Sequence, residues 1–302
     1  MKNRGLLFWG LGAGLALLAG VYRQQRRAAN ASIWAQQVER QPGTAVVTGA
    51  SAGIGAVFAR ALARQGYSLL LIARRADRLQ QIADELQAAY RVKVEILSAD
   101  LGDPDDLERA AARLAEIQDL DLLVNNAGFG TGGNFATLDL PPELQMIRLH
   151  VTASVRLIHA ALPGMIRRHQ GGIINVASIA GLLPMPGNAT YGATKSYLIF
   201  FTGSLNAELA GTGVRVQALC PGFTLSEFHD VVQMDRSVIP SFLWCRAEDV
   251  VAVSLQGLRE GREVVIPGAV YKLLGLILKV PLVAPLAREV QRLRLLQMRK
   301  GG

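Results

Sequence analysis

Short apolar runs alternate with longer amphipathic segments through the middle of the chain, and this rhythm constrains the fold more than any other feature. The runs occupy residues 44–48, 68–72, 93–97, 120–124, 172–177, 215–220 and 263–266. Segments such as 77–90 and 105–117 place their apolar residues at helical spacing. Strands that alternate with helices form a parallel sheet with helices on both faces. The near-continuous apolar strands also indicate a sheet buried on both sides. We therefore predict a doubly wound α/β domain over residues 44–267.

The N-terminus carries an uncharged segment at residues 5–22. Eighteen helical residues rise about 27 Å, which is close to the thickness of a bilayer core. We interpret residues 1–22 as an uncleaved hydrophobic membrane helix and residues 23–43 as a linker. Two alternatives are a cleaved signal peptide and a peripheral helix. The signal peptide would need cleavage at Ala29-Asn30-Ala31, which follows three arginines.

The formal net charge of +8 is concentrated at the two ends of the chain. Residues 1–40 carry six basic and one acidic group, residues 268–302 carry seven basic and one acidic group, and the middle is therefore −3. A nucleic-acid-binding domain usually carries a basic face, so this distribution argues against a nucleic-acid partner. Basic ends beside apolar segments favour an anionic membrane surface. The extension 268–302, interrupted by Pro281 and Pro285, is predicted to pack on the domain or to lie in the membrane interface.

The chain has two cysteines, Cys220 and Cys245, without metal-ligand spacing. This number argues against a disulfide framework and against a zinc site. We therefore predict no metal.

A glycine-rich turn follows the first predicted strand. The sequence TGASAGIG places Gly49, Gly53 and Gly55 between that strand and the first helix. Glycines at such a junction let the backbone approach a pyrophosphate, which the N–H groups of the helix N-terminus then bind. A tight loop without a ligand is the alternative, but the position at the first strand–helix junction favours a nucleotide site.

Three further motifs occur in order after this turn: NNAG at 125–128, Ser178 after the fifth strand, and YGATK at 191–195. Together with the turn, they resemble the short-chain dehydrogenase/reductase family over about residues 43–267. The resemblance implies a Rossmann-type fold, a nicotinamide cofactor and the interconversion of a carbonyl and an alcohol.

Tyr191 and Lys195 lie four residues apart and share one face of a predicted helix. An ammonium near a phenol favours the phenolate and lowers the pKa of the tyrosine, which then suits general acid–base catalysis. The resemblance implies that Ser178 holds the substrate oxygen and that Lys195 also binds the nicotinamide ribose. A purely structural Tyr–Lys pair is the alternative reading.

Arg74 and Arg75 follow the second strand, where an acidic residue would indicate NAD. A guanidinium there favours the 2′-phosphate of NADP(H), although a solvated arginine is the alternative. The resemblance implies that Asp100 contacts adenine, that Asn126 braces the sheet and that residues 221–224 close over the nicotinamide. The predicted cofactor contacts are Thr48, Gly49, Ser51, Gly53, Ile54, Gly55, Arg74, Asp100, Leu101, Asn126, Ala127, Gly128, Tyr191, Lys195, Pro221, Gly222 and Thr224.

His150 departs from the family pattern. Relatives carry a catalytic asparagine at this place, which holds a water in the proton relay. One hypothesis makes His150 a catalytic residue that replaces both groups, because an imidazole titrates in the working range. The other makes it a neutral, hydrogen-bonded core residue.

These features predict a membrane-anchored, NADP(H)-dependent oxidoreductase whose catalytic domain faces the cytoplasm. Residues 223–246 are predicted to form a substrate lid, and their Phe, Trp and Val content indicates a small apolar partner. The candidate substrates are a 3-oxoacyl chain, a sterol, a retinoid and a long-chain aldehyde. The alternative function is a non-catalytic, membrane-bound NADPH sensor or scaffold. The resemblance also allows a homo-oligomer.

Overall fold

The computed structural model describes residues 41–225 and 240–277. The predicted membrane helix, nearly all of the linker, most of the predicted lid and the end of the tail lie outside the described residues.

Seven parallel strands form one sheet in the order β3-β2-β1-β4-β5-β6-β7. The strands, named in chain order, are Thr44–Thr48, Ser68–Ala73, Val94–Ser98, Leu120–Asn125, Gly171–Val176, Val214–Leu219 and Val264–Val265. Each overlaps the apolar run that predicted it, and the central strands are buried throughout. The prediction of a doubly wound parallel sheet is therefore confirmed.

Helices cover both faces of this sheet. Helices α1 to α8, in chain order, are Gly53–Ala63, Ala76–Tyr90, Pro104–Glu116, Leu140–Ile147, Ala153–Arg167, Ala189–Glu208, Ala247–Arg259 and Ala269–Ile277. One hydrophobic core joins the sheet to α1, α2 and α7 through residues such as Phe58, Leu79 and Val250. A second core joins the other face to α3, α5 and α6 through residues such as Leu114 and Leu157. The two layers explain why the strands carry apolar side chains on both sides.

The strand order reverses between β1 and β4. Connections from β1 run outward to β2 and β3, and the chain then returns to place β4 on the other side of β1. Loops that leave the carboxyl ends of β1 and β4 therefore diverge, and a crevice forms between them. This crevice positions the candidate active site.

One described stretch, Leu140–Arg167, is long and apolar enough to cross a membrane by length and composition alone. Met146, Leu157 and Met165 of this stretch are buried inside the domain. The core helix of a folded domain passes the same test, and we interpret this stretch as such a helix.

Candidate active site

A cavity of about 610 Å³ opens at the carboxyl ends of the strands, at the crevice between β1 and β4. The structure brings most of the predicted site residues to its wall. They are Gly49, Ser51, Gly53, Ile54, Arg74, Asp100, Leu101, Asn126, Ala127, Gly128, His150, Ser178, Tyr191, Lys195, Pro221, Gly222 and Thr224.

The glycine-rich turn forms one end of the cavity. Gly49 and Gly53 have φ angles of +65° and +54°, a region that side chains other than glycine rarely adopt. A Cβ atom on Gly49 would also lie 2.8 Å from the Nδ2 atom of Asn126. Ala52, at the N-cap of α1, has no side chain that could accept from the first-turn N–H groups. The helix therefore presents free donors to an anion, such as a pyrophosphate.

Thr48 and Gly55, which we predicted as cofactor contacts, do not belong to the cavity wall. The Thr48 hydroxyl accepts hydrogen bonds from the backbone N–H groups of Asn126 (2.9 Å) and Ala127 (3.0 Å). A Cβ atom on Gly55 would lie 2.3 Å from the carbonyl oxygen of Gly49. Both residues therefore support the turn from behind.

The two arginines after β2 lie at this same end of the cavity. Arg75 donates to the Ser51 hydroxyl over 3.1 Å, which draws its guanidinium towards the glycine-rich turn. The Arg74 side chain is 69% exposed, and its Nη1 atom lies 3.8 Å from Oδ2 of Asp100. Both guanidinium groups can therefore reach a phosphate near the turn, and Arg75 joins Arg74 as a candidate.

Lys195 is only 5% exposed. Its Nζ atom donates to the carbonyl oxygen of Val176 over 2.8 Å and lies 5.6 Å from the centre of the Tyr191 ring. Burial lowers the pKa of the ammonium to about 8. Because β5 ends beside the start of α6, this pair of elements brings lysine, tyrosine and Ser178 together.

The Tyr191 hydroxyl is hydrogen-bonded to Ser178, and the Ser178 oxygen also accepts from the N–H group of Ala180 over 3.1 Å. Burial raises the pKa of Tyr191 above its ordinary value, and the Ser178 hydrogen bond offsets only part of this effect. The sequence predicted a lowered pKa from the charge of Lys195. In the structure, desolvation has the largest effect on this pKa, and without bound cofactor the Tyr191 hydroxyl stays protonated near neutral pH.

His150 lies in a π-helical turn, Arg148–Thr152, that joins α4 to α5. Such turns are rare and are often found at functional sites. The imidazole contacts the Tyr191 ring edge-on, with the ring centres 5.9 Å apart. A Cβ atom on Gly128 would lie 2.6 Å from Nε2, so the glycine of the NNAG motif leaves room for this histidine.

Both ring nitrogens of His150 have partners. Nε2 accepts from the backbone N–H group of Phe129 over 3.1 Å, which fixes it as the unprotonated nitrogen. Nδ1 therefore donates to the Thr194 hydroxyl over 2.9 Å, and that hydroxyl donates to the carbonyl oxygen of Tyr191 over 2.9 Å. Burial and, secondarily, the charge of Lys195 hold the pKa of His150 well below its ordinary 6.5. These contacts favour the neutral core residue over the proton relay.

The other end of the cavity contains residues that the sequence analysis missed. The apolar ones are Phe129, Leu149, Leu183 and Met185. Phe129 directly follows the NNAG motif, so position gave a signal for it. Phe223, the first residue of the predicted lid, also lines the cavity. Leu149, Leu183 and Met185 carry no motif, and only the fold reveals them.

Among the described residues, no group of three or more His, Cys, Asp or Glu side chains could hold a metal ion. Cys220 and Cys245 are free thiols. Burial raises the pKa of Cys220 to about 12, so this thiol stays neutral beneath Lys195.

Comparison with known proteins gives the context of this site. The chain is 40% identical over 185 residues to the sulfoacetaldehyde reductase of Chromohalobacter salexigens, covering 60% of this chain and 72% of that protein. It is 32% identical over 250 residues to the very-long-chain 3-oxoacyl-CoA reductase of Anas platyrhynchos, covering 79% of this chain and 77% of that protein. A solved structure, the short-chain dehydrogenase from Sphingobium yanoikuyae in complex with NADPH, superposes with a TM-score of 0.71. It is 33% identical, with 84% of this chain and 95% of that chain covered.

The family model described as short chain dehydrogenase matches residues 43–237, which is well over half of the chain. The match contains the glycine-rich turn, the NNAG motif and the Ser178, Tyr191 and Lys195 cluster, all of which meet at one cavity. This chain belongs to the short-chain dehydrogenase family.

Proposed function

We propose that this protein is a membrane-anchored, NADP(H)-dependent oxidoreductase that interconverts a carbonyl and an alcohol on an apolar substrate. The observation that carries this proposal is the meeting of Ser178, Tyr191 and Lys195 at one cavity whose wall is largely apolar. A proton donor, an oxygen-holding hydroxyl and a buried cation are the groups that carbonyl reduction needs from a protein.

The chemistry of the cavity fits NADP(H). The uncapped N-terminus of α1 and the glycine-rich turn suit a pyrophosphate. Arg74 and Arg75 suit a 2′-phosphate, and the Sphingobium yanoikuyae relative was solved in complex with NADPH. When bound, the reduced cofactor supplies the hydride that reaches the carbonyl carbon.

The protein's own groups control the proton. The Tyr191 hydroxyl donates its proton to the carbonyl oxygen, and the Ser178 hydroxyl donates a hydrogen bond to that same oxygen. The ammonium of Lys195, 5.6 Å from the ring centre, stabilises the phenolate that forms. The carbonyl carbon gains the hydride and the carbonyl oxygen gains the proton, which gives the alcohol. Because burial raises the pKa of Tyr191, its hydroxyl carries the proton that the carbonyl oxygen receives in reduction.

The cavity favours an apolar carbonyl over a small anionic one. The described wall contains the apolar side chains of Phe129, Leu183 and Met185, beside the polar side chains of Thr131 and Asn188. The cations of that wall are Arg74 and Arg75, which follow β2 at the other end, and Lys195, which is buried beside Tyr191. A sulfonate such as that of sulfoacetaldehyde would thus have no dedicated cation within the described wall. A 3-oxoacyl chain, the group named in the Anas platyrhynchos relative, matches the apolar lining better.

His150 acts, in this proposal, as a positioning residue. Its imidazole ties Phe129, at the substrate end of the cavity, to Thr194 on α6, and Thr194 is tied to the backbone of Tyr191. The catalytic tyrosine and the loop after β4 therefore keep one relative position without any change in the charge of His150.

The membrane part of the proposal rests on the sequence of the two ends. Residues 5–22 are uncharged, and both ends are basic. Exposed apolar side chains at Phe242, Val270 and Leu273 continue this character onto the folded domain. A supply of NADPH favours a cytoplasmic position for the domain.

The first prediction tests catalysis. Replacement of Tyr191 by phenylalanine keeps the ring and removes the proton donor, so turnover should fall by at least about a hundredfold while NADPH binding stays within a few-fold. NADPH consumption should be measured with long-chain 3-oxoacyl-CoA, a sterol ketone, retinal, a long-chain aldehyde and sulfoacetaldehyde. Tyr197→Phe, at an exposed position on the same helix, is the matched control. If the wild type consumes NADPH with none of these compounds, the sensor or scaffold becomes the better interpretation.

The second prediction tests cofactor choice. Arg74→Asp should shift the preference from NADPH towards NADH by at least about tenfold, because a charge-assisted phosphate contact is replaced by repulsion. Arg91→Asp, an exposed position at the opposite end of α2, controls for the change in net charge. Binding constants for both cofactors give the ratio. An unchanged ratio in Arg74→Asp with a shifted ratio in Arg75→Asp would assign the 2′-phosphate to Arg75.

The third prediction distinguishes positioning from proton relay at His150. His150→Leu should lower turnover by about tenfold or more, because the Phe129 N–H group and the Thr194 hydroxyl lose their partner. His150→Asn keeps a donor and an acceptor and should retain most activity. The pH–rate profiles of the wild type and His150→Asn should have the same shape, since His150 stays neutral. An inflection near the histidine pKa that only the wild type shows would restore the relay. His159→Leu, exposed on α5, is the control.

The same histidine gives a stability readout that is independent of turnover. Its pKa is lowered in the folded chain, so below about pH 6.5 the unfolded chain binds the extra proton and the folded chain does not. The wild type should therefore lose stability between pH 7.5 and 5.5, and His150→Asn should lose less over the same range. Thermal unfolding midpoints measure this difference.

The fourth prediction tests the anchor. Removal of residues 1–40 should release an active protein into the soluble fraction, because residues 41 onward contain the whole described domain. Activity in the supernatant and pellet measures the release. An active but still sedimenting protein would instead assign attachment to residues 268–302. In sealed inside-out vesicles, added protease should digest the domain of the full-length protein, and protection would contradict the cytoplasmic placement.

A further inference from the structure

The part of the cavity wall that follows β6 is held in place by two segments that lie further along the chain. The backbone of Phe223, a cavity residue, meets the segment that precedes α7. The N–H group of Cys245 donates to the carbonyl oxygen of Phe223 over 2.8 Å, and the N–H group of Leu225 donates to that of Cys245 over 3.1 Å. The Phe223 ring also contacts the ring of Trp244, with the centres 5.7 Å apart. These contacts use the carbonyl oxygen and the ring of Phe223, and its N–H group bonds to a different element.

Tyr271, on α8, supplies that partner. Its hydroxyl accepts from the N–H group of Phe223 over 3.2 Å and donates to the carbonyl oxygen of Leu243 over 2.7 Å. One hydroxyl therefore joins the two backbone segments. The side chain is only 4% exposed. If the hydroxyl were removed, bulk water would not easily take its place, so both backbone groups would lose a hydrogen-bond partner.

The Tyr271 ring is fixed as well as its hydroxyl. A Cβ atom on Gly222 would lie 2.1 Å from the ring, and one on Gly268 would lie 3.2 Å from it. The ring therefore lies flush against the backbone of Gly222, which is also a cavity residue. Two consecutive residues of the cavity wall thus depend on one side chain from beyond the last strand.

We propose that Tyr271 is a positioning residue for the substrate end of the active site. It holds Gly222 and Phe223 against the segment Leu243–Cys245, and through Phe223 it shapes the apolar wall that the carbonyl substrate meets. The effect on substrate rests on the proposed reductase function, whereas the effect on the wall does not. Tyr271 does not reach the glycine-rich turn or the arginines after β2, so the adenine half of the cofactor site is independent of it.

The test replaces Tyr271 with phenylalanine, which keeps the ring and removes the hydroxyl. Trp244 reports on the wall, because replacement of Trp9 and Trp34 by phenylalanine in the full-length chain leaves it as the sole tryptophan of three. In that background, Tyr271→Phe should shift Trp244 emission to the red and raise its quenching by acrylamide at least about twofold, without any substrate. Tyr90→Phe, which removes an exposed hydroxyl at the end of α2, is the matched control.

Kinetics then test the effect on substrate. With a long-chain 3-oxoacyl-CoA and with 2-undecanone, Tyr271→Phe should raise KM by about tenfold, which corresponds to about 1.4 kcal/mol. The turnover number should stay within about twofold of the Tyr90→Phe value, and the Kd for NADPH should rise less than the KM, because Tyr271 touches the cofactor site only through Gly222 and leaves the adenine half unchanged. This separation of KM from kcat and from cofactor binding is not expected from a general loss of stability.

Several outcomes would contradict the proposal. Emission and quenching equal to those of Tyr90→Phe would show that the hydroxyl does not hold the wall. Altered fluorescence with an unchanged KM in an active enzyme would show that the held wall does not meet the substrate. Equal losses of NADPH and substrate binding that accompany a loss of the far-ultraviolet circular dichroism of the fold would make Tyr271 a stability residue of the whole domain. Absence of turnover in the wild type would overturn the reductase function alone, since the fluorescence result would stand.

Discussion

Hydrogen bonds between Thr48 and Asn126 join β1 to the loop after β4 at the point where the strand order reverses. The two strands are paired within one continuous sheet, but the loops that follow them diverge and a crevice opens between those loops. There the Asn126 side chain donates to the carbonyl oxygen of Thr48 over 2.9 Å, and the Thr48 hydroxyl donates to that of Val124 over 3.2 Å. The same crevice must remain open for a ligand and yet keep its two walls in register. Side chains that hydrogen-bond across the bottom of the crevice meet both requirements, and they join the strand before the glycine-rich turn to the NNAG loop.

Desolvation sets the protonation states of the ionisable side chains in and beneath the cavity wall. It keeps Tyr191 protonated, His150 neutral and Cys220 a thiol, and it leaves Lys195 with a pKa of about 8. The cluster therefore holds a protonated phenol beside a buried ammonium, and the ammonium stabilises the negative charge that forms when the phenol gives up its proton. In the proposed reaction Tyr191 meets the substrate oxygen, and Lys195 and Ser178 act on Tyr191 from either side.

Sequence reasoning identified the strands, the helices and most of the cavity residues, because hydrophobic periodicity and glycine placement are local signals. It assigned Thr48 and Gly55 to the cofactor, since spacing alone cannot separate the surface of a turn from its support. It expected a lowered pKa for Tyr191, because the Lys195 spacing was visible in the sequence and the extent of burial was not. The tautomer of His150 depends on Phe129 and Thr194, which lie 21 positions before it and 44 positions after it. Tyr271 has no motif, and only its packing on Gly222 reveals it.

The position of Tyr271 also affects how the family can diverge. The family model ends at residue 237, and the last strand ends at Val265, so each motif of the family precedes this residue. A chain that ended after β7 would keep all of those motifs and lose the partner of the Phe223 N–H group. With Tyr271 in its proposed role, a substitution in the segment after β7 is a substitution in the wall that the substrate meets, although it lies outside every motif of the family.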